Sequence, residues 1–162
     1  MSSTGAAAAR AAILLLLGVP VAGCSAPDVP TDDAITLWMD GHLAEEAPAG
    51  SLGAATGRFE AGDAVSRTEG GVVLLLDAAP WVETIQLSCF GEGTADFTVD
   101  VAATSGGGGT EATSIAYADV PCGLGVQEEP IAVAGVTSVG VTGSGAGGAG
   151  AWHAVVIGGK PG

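Results

Sequence analysis

Apolar and polar side chains alternate with a two-residue period along two neighbouring stretches, residues 82 to 90 and residues 94 to 101. This period is typical of antiparallel strands with one buried and one solvated face. The predicted inward positions are Ile85, Leu87, Cys89, Ala95, Phe97, Val99 and Val101. The predicted outward positions are Thr84, Gln86, Ser88, Thr94, Asp96, Thr98 and Asp100.

Short β-prone segments separated by glycine-rich stretches continue to the end of the chain. The further predicted strands are residues 72–77, 113–120, 131–134, 136–142 and 152–157. Gly91-Glu92-Gly93 predicts a three-residue hairpin, and the glycines at 106–109 predict a loop tip. Strands and helices do not alternate, which argues against a parallel sheet. The pattern predicts an all-β fold, an antiparallel β-sandwich of about seven to eight short strands, over residues 34–162.

The segment before these strands is ambiguous. Ile35 to Met39 is apolar but short, and it fits either a first strand or a helix that runs to Glu46 with Asp33 as its N-cap. The composition of residues 48–57 predicts a loop.

The first residues of the chain follow the pattern of an export signal. A leader with one basic residue, Arg10, precedes the uninterrupted apolar run at residues 11–19, and Pro20 ends that run. The apolar stretch is shorter than the roughly 20 residues that a membrane span needs. The next four residues are Val21-Ala22-Gly23-Cys24, and this motif resembles the lipobox of bacterial lipoproteins.

The lipobox resemblance implies a specific processing route. Residues 1–23 form the lipoprotein signal peptide, the chain is cut before Cys24, and Cys24 carries a diacylglycerol, with fatty acids such as palmitate. Two acyl chains hold a protein stably at a membrane, whereas one does so marginally. Residues 24–33 contain two prolines and read as a short flexible tether. The predicted location is the extracytoplasmic face of the cell membrane.

With Cys24 assigned to lipid, Cys89 and Cys122 remain as an even pair, 33 positions apart. In an exported protein this parity favours a disulfide bond. Neither cysteine has a C-x-x-C partner, and no histidine is near in sequence, so a metal or redox role is the weaker alternative.

Charge and motif context exclude several kinds of function. The formal net charge is −14, from 4 basic and 18 acidic residues, which disfavours binding to nucleic acid. Residues 143–148 match G-x-G-x-x-G, but a strand rather than a helix is predicted next, and no acidic residue follows. The match is therefore not expected to bind a dinucleotide, and we predict no cofactor.

Catalytic and metal-binding residues are sparse. The chain has two histidines, His42 and His153, and no asparagine or G-x-S-x-G elbow, so we predict that it is not an enzyme. His153 is expected to point away from Trp152 in the last strand. Asp96 and Asp100 are too far apart along one strand to share an ion, about 13 Å. We predict no metal site, although loop carbonyls with Glu128 or Glu129 remain an alternative for calcium.

The three tryptophans allow two interpretations. Trp38, Trp81 and Trp152 could form a platform that stacks on sugars, or they could supply apolar area to a core short of large side chains. The core interpretation is favoured for Trp81 and Trp152.

Residues 71 to 157 are similar to an uncharacterised group of actinobacterial lipoproteins. The residues that carry the similarity are Leu87-Ser88-Cys89-Phe90-Gly91, Gly93-Thr94, Pro121-Cys122-Gly123 and Ala151-Trp152-His153, together with the lipobox. The resemblance implies a cysteine pair that staples a β-sandwich, and it transfers no catalytic residue. The sequence thus favours a lipid-anchored binding or interaction module with an unknown protein or cell-envelope glycan as partner. The alternative is a carbohydrate-binding or cell-wall-associated accessory protein.

Overall fold

The alternation along the chain produces two packed antiparallel sheets in the computed structural model, which describes residues 30–60, 71–145 and 147–160. Over these residues the elements are α1 (Asp32–Ala44), β1 (Ser51–Phe59), β2 (Val72–Leu75), β3 (Val82–Phe90), β4 (Thr94–Thr104), β5 (Thr110–Pro121), β6 (Gln127–Val133), β7 (Val136–Gly145) and β8 (Gly150–Gly158). Sheet A has the order β1-β8-β3-β6, and sheet B has the order β2-β7-β4-β5. The predicted all-β sandwich is confirmed, with one added helix.

The predicted faces of β3 and β4 are confirmed by burial. All seven predicted inward side chains, from Ile85 to Val101, are at most 4% exposed. They meet similar residues of β7 and β8 in one core between the sheets, because every strand turns alternate side chains toward the opposite sheet.

The segment that the sequence left open forms a helix. Thr31, rather than Asp33, is the N-cap, and its hydroxyl accepts a hydrogen bond from the backbone N–H of Ala34 at 3.3 Å. Asp32 and Asp33 lie in the first turn, where their charges complement the helix dipole. Among the described residues, no helix is long and apolar enough to cross a membrane.

Two local predictions were wrong. Residues 51–57, predicted as loop, belong to β1, because pairing with β8 along its whole length outweighs the weak strand preference of its small residues. Gly91-Glu92-Gly93 is not a hairpin, since β3 lies in sheet A and β4 lies in sheet B. A two-residue period shows which face of a strand is buried, but it does not show which sheet the strand joins. The predicted loop tip at 106–109 does close a hairpin, between β4 and β5.

Trp152 is the largest wholly buried side chain, and glycines make room for it. A Cβ atom at its neighbour in the pairing of β1 with β8, Gly57, would lie 2.5 Å from the indole ring. A Cβ atom at Gly143, on β7 of the opposite sheet, would lie 2.6 Å from it. Phe97 meets the indole edge-on, with ring centroids 6.3 Å apart. The first glycine of the G-x-G-x-x-G match therefore serves packing.

Cys89 and Cys122 form the predicted disulfide, with Cα atoms 4.7 Å apart. The bond joins the end of β3 in sheet A to the residue after β5 in sheet B. On the same side of the sandwich, the Tyr117 hydroxyl of β5 donates to the carbonyl of Pro130 in β6 at 2.9 Å. Closing a loop of 33 residues contributes about 3–4 kcal/mol by the chain-entropy relation.

We predict that Gly143→Ala lowers the free energy of unfolding by about 1–3 kcal/mol, because its methyl group would overlap the buried indole. Urea unfolding followed by circular dichroism measures this change. The matched control is Gly41→Ala, in the last turn of α1, where an added Cβ meets nothing within 4 Å. The control should raise the free energy of unfolding by about 0.5–1 kcal/mol, as alanine favours helix. Equal effects of the two substitutions would contradict the packing role of Gly143.

Candidate functional site

Helix α1 lies across the outer face of sheet A, over β8 and β1. Ile35 is the buried residue of the helix, at 3% exposure. At the amino-terminal end of the helix, Arg58 of β1 donates to the Asp32 carboxylate at 3.3 Å and to the Thr36 hydroxyl at 2.5 Å. The half-buried Trp38 stacks on Phe90 of β3, with ring centroids 5.9 Å apart. These contacts hold the helix on the sheet.

The carboxyl-terminal half of α1 brings the two histidines together. The ring of His42 lies parallel to that of His153, with centroids 4.8 Å apart and an angle of 6° between the planes. Trp38 meets His42 edge-on at 4.2 Å, and Nδ1 of His42 lies 3.2 Å from a carboxylate oxygen of Glu45. His153 points away from Trp152, as predicted, and the helix covers it so that it is 8% exposed.

The helix–sheet pocket is a cavity of about 210 Å³ beside this histidine pair. Two cross-strand rows of sheet A supply its floor. One row pairs Val155 of β8 with Ala54 and Gln86, and the next pairs His153 with Ser88. The wall comes from the end of α1 and the residues after it, and the complete lining is His42, Leu43, Glu45, Glu46, Ala47, Pro48, Ala54, Gln86, Ser88, Val126, His153 and Val155.

Ser88 is the unusual residue of the pocket floor. Its side chain is 5% exposed, and within the described part of the chain its Oγ has no hydrogen-bond partner. A buried hydroxyl without a partner loses its hydration and gains nothing in return, which costs about 1–3 kcal/mol. Such a group on the floor of an open pocket is available to a ligand.

Burial sets the protonation of His153. Loss of solvation lowers the pKa of its imidazole below the ordinary value, and the neighbouring His42 lowers it further, while the carboxylate of Glu45 acts in the opposite direction. His153 is therefore neutral at pH 7 and presents one ring nitrogen as an acceptor.

The arrangement lacks the geometry of a serine hydrolase. Ser88 and His153 are direct cross-strand neighbours, but they form no hydrogen bond. Ser88 also lies inside a strand of sheet A, whose backbone N–H groups pair with neighbouring strands rather than converging on an oxyanion.

The other predicted site residues are dispersed. Asp96 accepts a hydrogen bond from the backbone N–H of Asp119 at 2.9 Å, and Glu128 accepts one from the Gln86 amide at 3.4 Å. Over residues 30–60, 71–145 and 147–160, no three His, Cys, Asp or Glu side chains are grouped as metal ligands. Cys24 and the whole lipobox lie outside the described residues.

The tryptophans do not form a common platform. Trp152 is buried in the core, as expected, whereas Trp81 and Trp38 are half-buried. Trp38 packs on Phe90 at one end of β3, and Trp81 precedes the other end, so about 30 Å of strand separates them. A sugar could not contact both rings.

Only a weak signal for the pocket is present in the sequence. His153 interrupts an otherwise apolar strand, and His42 and Glu45 have the three-residue spacing of neighbours on a helix. Ser88 and Gln86 read as ordinary solvated positions, because the pattern does not reveal that a helix covers the outer face of sheet A. Comparisons with protein-family models, curated proteins and solved structures found no match to this chain.

We predict that the domain loses stability as the pH falls from about 7 through the pKa of folded His153. The unfolded state takes up a proton near the ordinary pKa of about 6.5, and the folded state resists it because His153 is buried beside His42. The contribution of His153 to the free energy of unfolding is thus complete above the pKa of the unfolded state. It is lost as the pH falls from that value to the pKa of the folded state. The groups facing His153 are Ser88, Thr56, His42 and Glu45.

Urea unfolding between pH 7.5 and 5.5, on wild type and on His153→Gln, measures this contribution. The variant retains every carboxylate, so the difference between the two curves isolates the histidine. If the free energy of unfolding depends on pH in the same way in both proteins, the assignment of this pH dependence to His153 is contradicted.

Proposed function

We propose that this chain is a lipid-anchored extracytoplasmic lipoprotein whose sandwich domain is a non-catalytic binding module, with the helix–sheet pocket as its ligand site. The observation that carries the binding site is the buried, unpartnered hydroxyl of Ser88 beside neutral His153 on the pocket floor. A ligand that bonds to this hydroxyl recovers its desolvation cost on binding.

The anchor is supported by the sequence from Arg10 to Cys24, which combines a basic leader, an apolar run and a lipobox. The disulfide between Cys89 and Cys122 supports an oxidising compartment, since such bonds persist outside the cytoplasm. Pro30, the first described residue, lies six positions after Cys24, so a short tether would keep the pocket near the membrane surface.

The pocket supports binding of a small molecule rather than of an extended glycan. The cavity is small, and the tryptophans that the carbohydrate alternative depends on are buried or widely separated. A glycan-binding role would have to use the pocket itself.

We predict that Cys24→Ser abolishes membrane retention when the full chain is expressed in an actinobacterial host, because the acylated thiol is lost. Membrane fractionation and intact mass measure retention and lipidation. Ser25→Ala, at the adjacent position, is the control and should remain in the membrane fraction with two acyl groups. Unchanged retention and mass of Cys24→Ser would overturn the anchor assignment.

We predict opposite effects of Ser88→Ala on stability and on binding. Removing the unpartnered hydroxyl should raise the free energy of unfolding of the free domain by about 1 kcal/mol. The same substitution should weaken the binding of those polar fragments that bind the wild-type domain in ligand-observed NMR. Ser88→Leu, whose larger side chain fills the cavity, should abolish their binding. Ser114→Leu and Ser114→Ala, at an exposed position of β5 in sheet B, are the matched controls. Fragment binding that survives Ser88→Leu would exclude this pocket as the ligand site.

A further inference from the structure

We infer that the helix–sheet pocket binds a small organic cation, a protonated primary amine carried on a short apolar chain. This inference rests on the proposed binding function and names the class of ligand. Three properties of the pocket support it: the charge of its rim, the acceptors on its floor, and the apolar surface at its mouth.

The rim of the pocket is negatively charged. Glu45 and Glu46 lie on it with exposed side chains, and among the described lining residues none is Lys or Arg. Arg58, which also lies on the outer face of sheet A, is engaged by Asp32 and Thr36 at the other end of the helix. A carboxylate or phosphate entering the pocket would meet like charge without a compensating cation, whereas an ammonium group would be attracted.

The floor of the pocket offers hydrogen-bond acceptors. Ser88 Oγ has an open acceptor site, and neutral His153 provides a ring nitrogen. The amide of Gln86 donates through its nitrogen to Glu128, which leaves its carbonyl oxygen as an acceptor. A primary ammonium group has three N–H donors and no acceptor, so it matches a floor of this kind.

The mouth of the pocket carries apolar side chains. Leu43 of α1 is 61% exposed, and Val126, before β6, is 56% exposed. Both residues line the cavity, so an alkyl chain could cover them while its charged end reaches the floor. A fully polar cation would leave this surface uncovered.

Titration of the folded domain with three probes of equal length tests the charge preference: n-pentylamine, 1-pentanol and pentanoate. Chemical shifts of the backbone N–H groups of Ser88 and His153 report binding at pH 7.5 and low salt. The amine should bind most tightly, and the double variant Glu45→Gln/Glu46→Gln should weaken it about five- to tenfold, in line with two partly exposed charge pairs. Glu111→Gln, an exposed position on β5, is the control and should leave the affinity unchanged. Because Glu45 also contacts His42, Glu46→Gln alone provides a variant that keeps this contact.

Lowering the pH gives a second readout. Protonation of His153 removes an acceptor and adds a positive charge, so the affinity for the amine should fall on acidification while that for pentanol should not. The protonation of His153 in the folded domain is followed by the chemical shifts of its own imidazole, and an amine affinity that does not fall as this imidazole protonates would contradict the role of His153. Nα-acetyl-lysine methylamide distinguishes the source of the cation: binding as tight as that of pentylamine indicates a lysine side chain, and weaker binding indicates a free amine.

The binding results distinguish a failure of the cation inference from a failure of the proposed binding function. If pentanol or pentanoate binds as tightly as the amine, the pocket is a ligand site and the cation inference is overturned. If no probe shifts the pocket signals, the cation inference is also overturned, and the proposed binding function then depends on fragments whose binding requires Ser88. If no such fragment exists, the proposed function fails as well.

Discussion

The packing of Trp152 between Gly57 and Gly143 is the constraint on which the other features of this domain depend. The indole occupies the space that side chains at these two positions would otherwise fill, and it meets residues of both sheets. It therefore sets the separation of the sheets where β8 faces β7. Because successive side chains of a strand point to opposite faces, a tryptophan fixed in the core forces the next residue, His153, to the outer face of sheet A.

The outer face of sheet A is covered only because α1 crosses it. β8 is thereby buried on both faces, and its residues from Ala151 to Val156 are all buried to 8% exposure or less. The helix contacts the sheet through Ile35, Trp38 and His42 and through the bonds of Arg58 to its first turns, and it ends where the pocket begins. The stability of the domain comes from the disulfide and the core rather than from the contacts of α1 with the sheet.

Sequence patterns predicted the parts of the structure that depend on local alternation. The inward faces of β3 and β4 and the disulfide between Cys89 and Cys122 required only period and cysteine parity, whereas residues 35–46 fitted a strand as well as a helix. The errors arose where a distant partner decides the outcome. β1 is a strand because β8 pairs with it, and Gly91 to Gly93 changes sheets although the flanking strands have the same pattern as a hairpin.

The pocket could not be predicted for the same reason. His42 and His153 are separated by more than a hundred residues, and no periodicity relates them. Their contact depends on the placement of α1 over sheet A, which a helix with only one buried residue does not specify from its own sequence. Ser88 carries no signal at all, because a serine on the outward face of a strand is the most ordinary residue in such a pattern.

The position of β8 has a consequence for how this domain folds. β8 comes last among the described strands, yet it lies between β1 and β3 in the interior of sheet A, and β1 has no other partner there. During synthesis from the amino terminus, the hairpin of β4 and β5 can form early. The hydrogen bonding of sheet A is completed only when β8 pairs with β1 and β3. Contacts between residues far apart in sequence make folding slow. Until β8 is available, β1 has no partner in sheet A and one edge of β3 stays unpaired.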